Sequence, residues 1–449
     1  MTKYLYELEI ADCFLQKEVI IIKKLLTLSL IMTLAMGSLA FSNPITEDEY
    51  SYLREVLLSL NNTQTTNPIA EAPAQNVVPY YQTVLGNERL LSEYSHLIDG
   101  KRVGIVTNHT GVNSKLERTV DVLSAYPKIS LTSIYSPEHG LDGTVAAGKY
   151  VESYTDTKLN LPVYSLYGKT RKPSPEMLTN VDVLVFDMQD IGSRTYTYMS
   201  TLNYCMIAAK ENNKTLIVLD RPNPVGGLNV EGYVLEDKYK TFVGVDNMPM
   251  AHGMTAAELA QFFNRNIGCK LEIVPMKNYT RAMVWQDTGL PFVQTSPNIP
   301  NIESAFAYMA TGIGDGTGLG QGDKFTWIGG KGFNSQTLAN ALNAYKLPGI
   351  VFVPEDKGDK GGVKLQVTDY HSFNPAKTGV YILATANLQK KLTVPVEKNG
   401  VIPMFEKNMG GSRFGQDLLN NRTPDQIVKS YSNEVENFKN LRKQYLIYN

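Results

Sequence analysis

The sequence predicts an α/β fold, in which a Rossmann-like domain with a parallel sheet is followed by a smaller C-terminal α+β domain. Three observations support this prediction. Apolar runs recur along residues 84–290 with helical patterns between them, which is typical of a parallel sheet covered on both faces. The residue pattern changes over residues 291–449, where a glycine-rich loop is followed by predicted helices and short predicted strands. With 449 residues, the chain is long enough for two or three domains.

The elements of residues 84–290 follow from hydrophobic periodicity. Strands are predicted at residues 103–106, 131–135, 181–186, 216–219 and 271–274. Helices are predicted at residues 116–126 and 197–212. Thr255 and Glu258 form a T-x-x-E capping box, which predicts that another helix begins there.

The second domain, residues 291–449, has a different pattern. Helices are predicted at residues 335–345 and 379–389, and strands at residues 350–353 and 363–367. Thr423 and Pro424 are typical of a helix start, and they predict a closing amphipathic helix that runs through Tyr445.

The first forty residues resemble a secretory signal. Lys23 and Lys24 precede an apolar run at residues 25–36, and small residues follow up to Ala40. The alternative is a membrane anchor, but the run is shorter than the roughly 20 residues that span a bilayer. We therefore expect a secreted or periplasmic protein with no stable membrane insertion after cleavage of a 1–40 signal peptide. Residues 41–83 are predicted to form a helix and a linker.

Composition excludes several classes of function. The 43 Lys and Arg residues nearly balance the 44 Asp and Glu residues, so there is no basic surface to predict nucleic-acid binding. Cys205 and Cys269 remain after the predicted cleavage, and we expect them to be unpaired because a chain of this size does not need a disulfide. The sequence has no C-x-x-C motif, which disfavours a thiolate metal site.

Polar clusters follow four of the predicted strands. They lie at residues 107–110, 136–140, 187–194 and 220–224. The carboxyl ends of parallel strands open on one edge of the sheet, where ligands bind in a crevice, so these clusters predict a shared site. The alternative for each cluster is that its Asp and Asn residues only cap helices and make turns.

The carboxylates of this crevice suit glycosidic cleavage, which needs an acid for the leaving oxygen and usually a second carboxylate. Glu138 is the predicted acid, because it lies on a proline-restrained loop; a helix cap or a salt bridge to Arg194 is its alternative role. Asp190 and Asp220 are the candidates for the second carboxylate. A rival interpretation places Mg²⁺ on Asp187, Asp190 and Asp220 for phosphoryl chemistry.

Other side chains could contact a sugar. Arg194 offers a guanidinium for a carboxylate, and Tyr196 and Tyr198 offer stacking faces, unless these tyrosines belong to the core. His252 either points at the crevice or is a turn residue. A nucleotide is disfavoured, because the glycine patterns at residues 143–150 and 312–317 depart from phosphate-binding motifs.

Five motifs in order resemble the NamZ-type exo-β-N-acetylmuramidases, a family long known only as a domain of unknown function. They lie at residues 135–140, 161–168, 186–194, 219–224 and 288–298. The resemblance implies a cofactor-free and metal-free glycoside hydrolase that removes N-acetylmuramic acid from the non-reducing end of peptidoglycan fragments. It also implies an active-site cleft between the two domains.

The resemblance places the family's loop glutamate at Glu138. The other predicted site residues are Asn108, His139, Asp190, Arg194, Tyr198, Asp220, Asn223, Glu231 and His252. The loop at residues 314–322 departs from the family pattern, because Asp315 replaces a Glu and an Arg is missing. This departure supports an alternative function, a secreted protein that binds muropeptides without cleaving them.

Overall fold

The computed structural model describes residues 82–449, which fall within one compact unit. The predicted signal peptide and nearly all of the predicted helix and linker lie outside the described residues. Two sheets organise the structure, one of seven strands and one of four. The predicted α/β fold class is confirmed. Among residues 82–449, no helix is both long and apolar enough to cross a membrane.

The seven-stranded sheet is built in the order β3-β4-β2-β1-β5-β6-β7. Its strands are β1 (Arg102–Thr107), β2 (Ser130–Ser136), β3 (Tyr154–Asp156), β4 (Leu161–Ser165), β5 (Val183–Asp187), β6 (Thr215–Leu219) and β7 (Lys270–Val274). All neighbours are parallel except β3 and β4, which are antiparallel. β3 and β4 were not predicted as strands, because β3 is largely exposed and β4 contains Pro162.

Four helices flank this sheet. They are α1 (Gly86–Glu93), α2 (Thr119–Ser124), α3 (Tyr198–Glu211) and α4 (Ala256–Ile267). The predicted capping box of α4 is present, since the Thr255 side chain accepts from the Glu258 backbone N–H. α2 begins later than predicted because Leu116 adopts a left-handed conformation at φ 65°, which a helix cannot include.

The four-stranded sheet is antiparallel, in the order β10-β11-β9-β8. Its strands are β8 (Gly320–Gly322), β9 (Trp327–Lys331), β10 (Ile350–Lys357) and β11 (Lys360–Val367). The predictions found only parts of β10 and β11. β8 and β9 were missed because their glycines hide the alternation of apolar and polar residues that marks a strand.

Six helices complete the fold. They are α5 (Ile302–Thr311), α6 (Ser335–Ala344), α7 (Pro375–Gln389), α8 (Met404–Met409), α9 (Arg413–Leu419) and α10 (Pro424–Arg442). One hydrophobic cluster includes Phe186 of β5, Phe262 of α4 and Phe373 ahead of α7, so the two sheets share a core. α5 packs on α7. The chain after α10 returns to α4, where the Ile447 backbone N–H donates to Glu258.

Candidate active site

Glu138 lies just after β2, at the carboxyl edge of the large sheet, and only 7% of it is exposed. Both of its carboxylate oxygens are held. The Gly148 backbone N–H donates to Oε1 over 2.8 Å, and the Thr197 hydroxyl donates to Oε2 over 2.6 Å. The carboxylate is therefore fixed in orientation by two separate segments of the chain.

The turn after Glu138 is unusual. His139 has a φ of 73° and Gly140 a φ of 79°, so two successive residues are left-handed, and one of them is not a glycine. The His139 Nδ1 atom lies 2.7 Å from the Val145 carbonyl oxygen, which holds the ring against the following loop. Left-handed non-glycine residues cost energy and cluster at functional sites. Here the turn reverses the chain so that Gly148 comes back to Glu138.

A second carboxylate, Asp190, follows β5 on the same edge. Its Oδ2 accepts a 2.8 Å hydrogen bond from the Gly192 backbone N–H, and the residue is 6% exposed. Gly192 has a φ of 81°, which turns the segment sharply towards Thr197. One loop thus carries Asp190 at its start and the hydrogen-bond donor of Glu138 at its end.

His252 faces Asp190. The His252 Nε2 atom lies 3.6 Å from Asp190 Oδ2, and its Nδ1 accepts from the Met254 backbone N–H over 3.2 Å. That acceptor role assigns the proton of a neutral ring to Nε2, on the side of the carboxylate. Within the described part of the chain, His252 Nε2 and Asp190 Oδ1 are buried and make no hydrogen bond. Buried polar atoms are normally paired, so these two atoms indicate a place for a ligand or water.

Tyr308 of α5 joins the two carboxylates in space. Burial raises the pKa of Tyr308 to about 12, and the negative charges of Glu138 and Asp190 contribute to the increase. Its hydroxyl also lies 3.3 Å from Thr195 Oγ1. The charges of both carboxylates therefore affect the pKa of one phenol, that of Tyr308 on α5, which lies directly before the glycine-rich loop.

A cleft of about 910 Å³ runs from this point along the small sheet. Tyr308 and Ala147, the neighbour of Gly148, line it together with Phe325. Most of its remaining wall comes from the loop at residues 311–321 and from β9, with lysines further along. Its volume is in the range of sites that hold a small ligand.

Comparison with known proteins identifies the family. Residues 103–303 match the N-terminal domain of the exo-β-N-acetylmuramidase NamZ, and residues 306–448 match its C-terminal domain. The peptidoglycan β-N-acetylmuramidase NamZ of Bacillus subtilis (strain 168) is 43% identical over 385 residues, which cover 82% of this chain and 92% of that protein. This chain belongs to the NamZ family.

Two solved structures share the fold. Both are crystal structures of DUF1343 family proteins from Bacteroides fragilis NCTC 9343. One is 36% identical with a TM-score of 0.74, and covers 83% of this chain and 100% of its own. The other is 28% identical with a TM-score of 0.62, and covers 82% of this chain and 99% of its own. The predicted family is confirmed, and with it the class of enzyme, a glycoside hydrolase.

Asp220 does not fit its predicted role as a second NamZ catalytic carboxylate. It is fully buried, and its oxygens accept hydrogen bonds from the Thr255 hydroxyl, the Ala257 backbone N–H and the Tyr448 hydroxyl. Burial raises the pKa of Asp220 to about 7. These contacts tie β6 to the start of α4 and to the chain end, so Asp220 supports the fold and the assignment is corrected.

The contacts of Asp187 and Asp220 also disfavour the alternative of a Mg²⁺ site on Asp187, Asp190 and Asp220. Asp187 forms a buried ion pair with Arg221, with 2.5 Å between Oδ1 and Nε, and it accepts from Thr119. Since Asp220 bonds to α4, the three carboxylates do not share a cation. Within residues 82–449, no group of three His, Cys, Asp or Glu side chains is arranged to hold a metal ion.

Three other predicted substrate contacts are engaged inside the fold. Asn223 accepts from the Val225 N–H and donates to the Met254 carbonyl. The Tyr198 hydroxyl donates to the Thr295 carbonyl over 2.7 Å, and this ring is fully buried, as the core alternative expected. Glu231 accepts from Asn374 at the start of α7. These contacts give Asn223, Tyr198 and Glu231 structural roles, and their contact with a substrate stays a prediction.

Arg194 is 1% exposed and lies under the cleft wall. Its Nη2 donates to the Asn408 carbonyl over 2.5 Å, and Asn408 lines the cleft. Burial lowers the pKa of Arg194 to about 9, and its Nε and Nη1 atoms make no hydrogen bond within residues 82–449. The salt bridge that we considered between Arg194 and Glu138 is absent from the described structure, and a contact with a lactyl carboxylate stays a prediction.

Asn108, from the first polar cluster, remains available. Its Oδ1 accepts from the Thr110 N–H and hydroxyl, while its buried Nδ2 makes no hydrogen bond in the described part of the chain. Burial raises the pKa of Tyr198, and the nearby Asn108 amide partly offsets this increase, so the amide lies close to a buried tyrosine near the carboxyl edge of the sheet.

Cys205 and Cys269 are both buried free cysteines.

Four residues that shape the site were not predicted from the sequence. Thr197 and Gly148 hold Glu138, Tyr308 lies near both carboxylates, and the charge of Glu138 adds to burial in raising the pKa of Tyr167. Gly148 belongs to the glycine pattern rejected as a phosphate loop. Its position about ten residues after Glu138, beyond a turn, was a sequence signal that it could return to that glutamate. No local pattern marks Tyr308.

Proposed function

We propose that this protein is an exo-β-N-acetylmuramidase that hydrolyses non-reducing-terminal N-acetylmuramic acid from peptidoglycan fragments, with Glu138 as the general acid. The observation that carries this proposal is the buried carboxylate of Glu138, held by Gly148 and Thr197 at the carboxyl edge of the large sheet, where a second buried carboxylate, Asp190, follows β5. Membership of the NamZ family and the 43% identical B. subtilis relative support the substrate.

A general acid must be held in both of its protonation states. The Gly148 N–H can only donate, so Oε1 of Glu138 keeps a lone pair towards it. The Thr197 hydroxyl donates to the ionised carboxylate and can rotate to accept from the protonated acid. With a sugar bound, the proton on Oε2 is directed at the glycosidic oxygen instead of Thr197, and it passes to that oxygen as the C–O bond to the leaving sugar breaks. A water supplies the hydroxyl group of the released N-acetylmuramic acid and, overall, the proton that restores Glu138.

Asp190 supplies the second negative charge. The transition state of glycoside hydrolysis resembles an oxocarbenium ion, which a nearby carboxylate stabilises. The unpaired Oδ1 of Asp190 has no competing internal hydrogen bond, so it can accept from the sugar or from a water. His252 Nε2 lies 3.6 Å from the other oxygen, Oδ2, and we assign His252 a positioning role beside this carboxylate.

A non-catalytic muropeptide-binding protein is the second candidate, and the altered loop at residues 314–322 favours it. This loop lines the cleft, so the replacement at Asp315 changes the wall that a sugar would meet. The two candidates share a ligand and differ only in turnover.

A defined disaccharide, N-acetylmuramic acid linked to N-acetylglucosamine, separates them. Incubation with the purified protein should release free N-acetylmuramic acid, detected by mass spectrometry. A second disaccharide in the reverse order, with N-acetylglucosamine at the non-reducing end, should stay intact. Tight binding of the first disaccharide by calorimetry without any cleavage would select the binding protein.

We also propose that the protein is exported, as the charged and apolar pattern at residues 23–40 indicates. A mature chain found outside the cytoplasm, with its amino terminus near residue 41, is the expected result. An uncleaved chain in the cytoplasmic fraction would overturn this part of the proposal.

A further inference from the structure

The cleft extends from Ala147 and Tyr308 along the small sheet, where its lining is basic. Four lysines line it, Lys331, Lys360, Lys390 and Lys391, whereas Asp315 is its only acidic lining residue among those that the structure describes. Lys331 forms an ion pair with Asp359, which leaves a clear excess of positive charge. Such a cleft attracts an anion.

Two of these lysines are placed against each other. Lys360 of β11 and Lys331 of β9 are direct cross-strand partners, a pairing that is destabilising for like charges. Lys390 joins them, because its Nζ donates to the Lys331 carbonyl over 2.5 Å and lies 5.4 Å from the centre of the Phe333 ring. A protein that gathers like charges at a cleft gains from an anionic ligand that offsets their repulsion.

The floor of the cleft gives an independent indication of a ligand. Gly320 of β8 lines the cleft, and a Cβ atom added to it would meet no atom within 4 Å. Its φ is also not left-handed, so neither packing nor backbone conformation requires a glycine. Glycines inside strands often lie where a ligand approaches the backbone, and Gly320 leaves open space for such an approach.

We infer that this lysine subsite binds a carboxylate on the second muramic acid of the departing glycan. The inference rests on the proposed function. An exo-acting enzyme holds only the terminal sugar behind the scissile bond, so a longer cleft must receive the leaving portion. In an alternating glycan the first leaving sugar is the neutral N-acetylglucosamine, and the next is another muramic acid with an ionised lactyl group.

The test compares substrates of different length. A chromogenic N-acetylmuramic acid glycoside has no second muramic acid, whereas the trisaccharide muramic acid–glucosamine–muramic acid, N-acetylated throughout, carries one. The KM of the trisaccharide should be lower, and raising the salt concentration from 50 to 300 mM should weaken this preference, because salt screens exposed charges. A trisaccharide with its distal lactyl group converted to an amide should lose the preference.

A fourth substrate identifies the source of the carboxylate. It carries a stem peptide on the distal lactyl group, so its acidic groups belong to the peptide. A gain with the free lactyl trisaccharide assigns the lysines to the lactyl group, and a gain only with the peptide-bearing substrate assigns them to the stem. Equal KM values for all trisaccharides, charged or amidated, would overturn the inference.

Two variants test the residues. Lys360→Gln combined with Lys391→Gln should raise the KM of the trisaccharide by roughly three- to tenfold and leave the chromogenic substrate unchanged. Lys364→Gln is the matched control, because Lys364 is exposed on the same strand but lies outside the cleft lining. Gly320→Ala should raise the same KM without lowering the melting temperature.

The outcomes separate this inference from the proposed function. If neither substrate is cleaved by the wild-type protein, the proposed function fails. If both are cleaved and the lysine and glycine variants behave like Lys364→Gln, only the lysine subsite is wrong.

Discussion

The hydroxyl of Thr197 donates a 2.6 Å hydrogen bond to Oε2 of Glu138, across the gap between the chain after β5 and the turn after β2. The donor lies directly before α3, so a rigid element sets its position. The Gly148 N–H completes the arrangement from the other side. Glu138 therefore has one carboxylate orientation, and the following predictions depend on it.

Replacing Thr197 with Val removes this hydrogen bond at nearly constant volume. We expect kcat/KM for a chromogenic muramic acid glycoside to fall about tenfold, because a bond to a charged group contributes roughly 1.5 to 3 kcal/mol. Thr197→Ser keeps the hydroxyl and should restore most of the activity. A Ser variant as impaired as the Val variant would show that the methyl group matters instead.

Glu138→Gln removes the transferable proton and keeps the shape of the side chain. Activity should fall by on the order of a hundredfold or more, the usual loss for a general acid. Glu152→Gln is the control, since Glu152 is an exposed glutamate nearby on the chain. Equal rates for Glu138→Gln and wild type, with unchanged melting temperatures, would reject the assignment.

Asp190 and His252 should behave as a unit, because each leaves a buried atom unpaired beside the other. We expect Asp190→Asn and His252→Ala each to lower kcat/KM by more than tenfold. The double variant should be little worse than Asp190→Asn alone, since His252 acts through that carboxylate. Multiplicative losses in the double-mutant cycle would mean that the two residues act separately.

Asp220 should make stability depend on pH. Its folded pKa of about 7 lies above the unfolded value of roughly 3.9, so its contribution is full below pH 4 and is lost as the pH rises through 7. This group alone should lower the free energy of unfolding by roughly 2 to 3 kcal/mol between pH 5 and pH 8. Asp220→Asn should flatten that slope in urea unfolding. An identical slope in both proteins would contradict the prediction.

Gly192→Ala should damage both stability and activity. A Cβ atom at this residue would lie 2.3 Å from Asn223 Oδ1, and the φ of 81° disfavours any side chain. We expect a loss of about 1 to 3 kcal/mol on chemical denaturation, together with reduced turnover because Gly192 holds Asp190. Gly100→Ala is the matched control, since Gly100 has a φ of 75° and nothing within 4 Å. The control should lose only about 1 kcal/mol, from the left-handed φ alone, and keep full activity.

The large sheet was predictable because its central strands are buried on both faces and read as continuous apolar runs. The same topology correctly brought Glu138 and Asp190 to one edge. It could not show that Asp220, on that edge too, turns towards α4, because a strand-end aspartate that caps a helix looks like a catalytic one in sequence.

The small sheet and the far wall of the site were harder to predict. Tyr308 reaches the carboxylates from a helix more than a hundred residues away in sequence, and only tertiary packing places it there. β9 combines Trp327 with two glycines, so its period-2 pattern is weak. In the sequence, Thr197 could be recognised only as the start of a predicted helix. A hydroxyl at that position usually caps the helix, so its hydrogen bond to Glu138 could not be predicted.

The two holders of Glu138 come from chain segments on opposite sides of β3, β4 and β5. A partly folded molecule can contain the acidic side chain without either donor, and no short fragment contains all three groups. During refolding, enzymatic turnover should therefore return late, together with the final packing of the sheet rather than with the first helical signal.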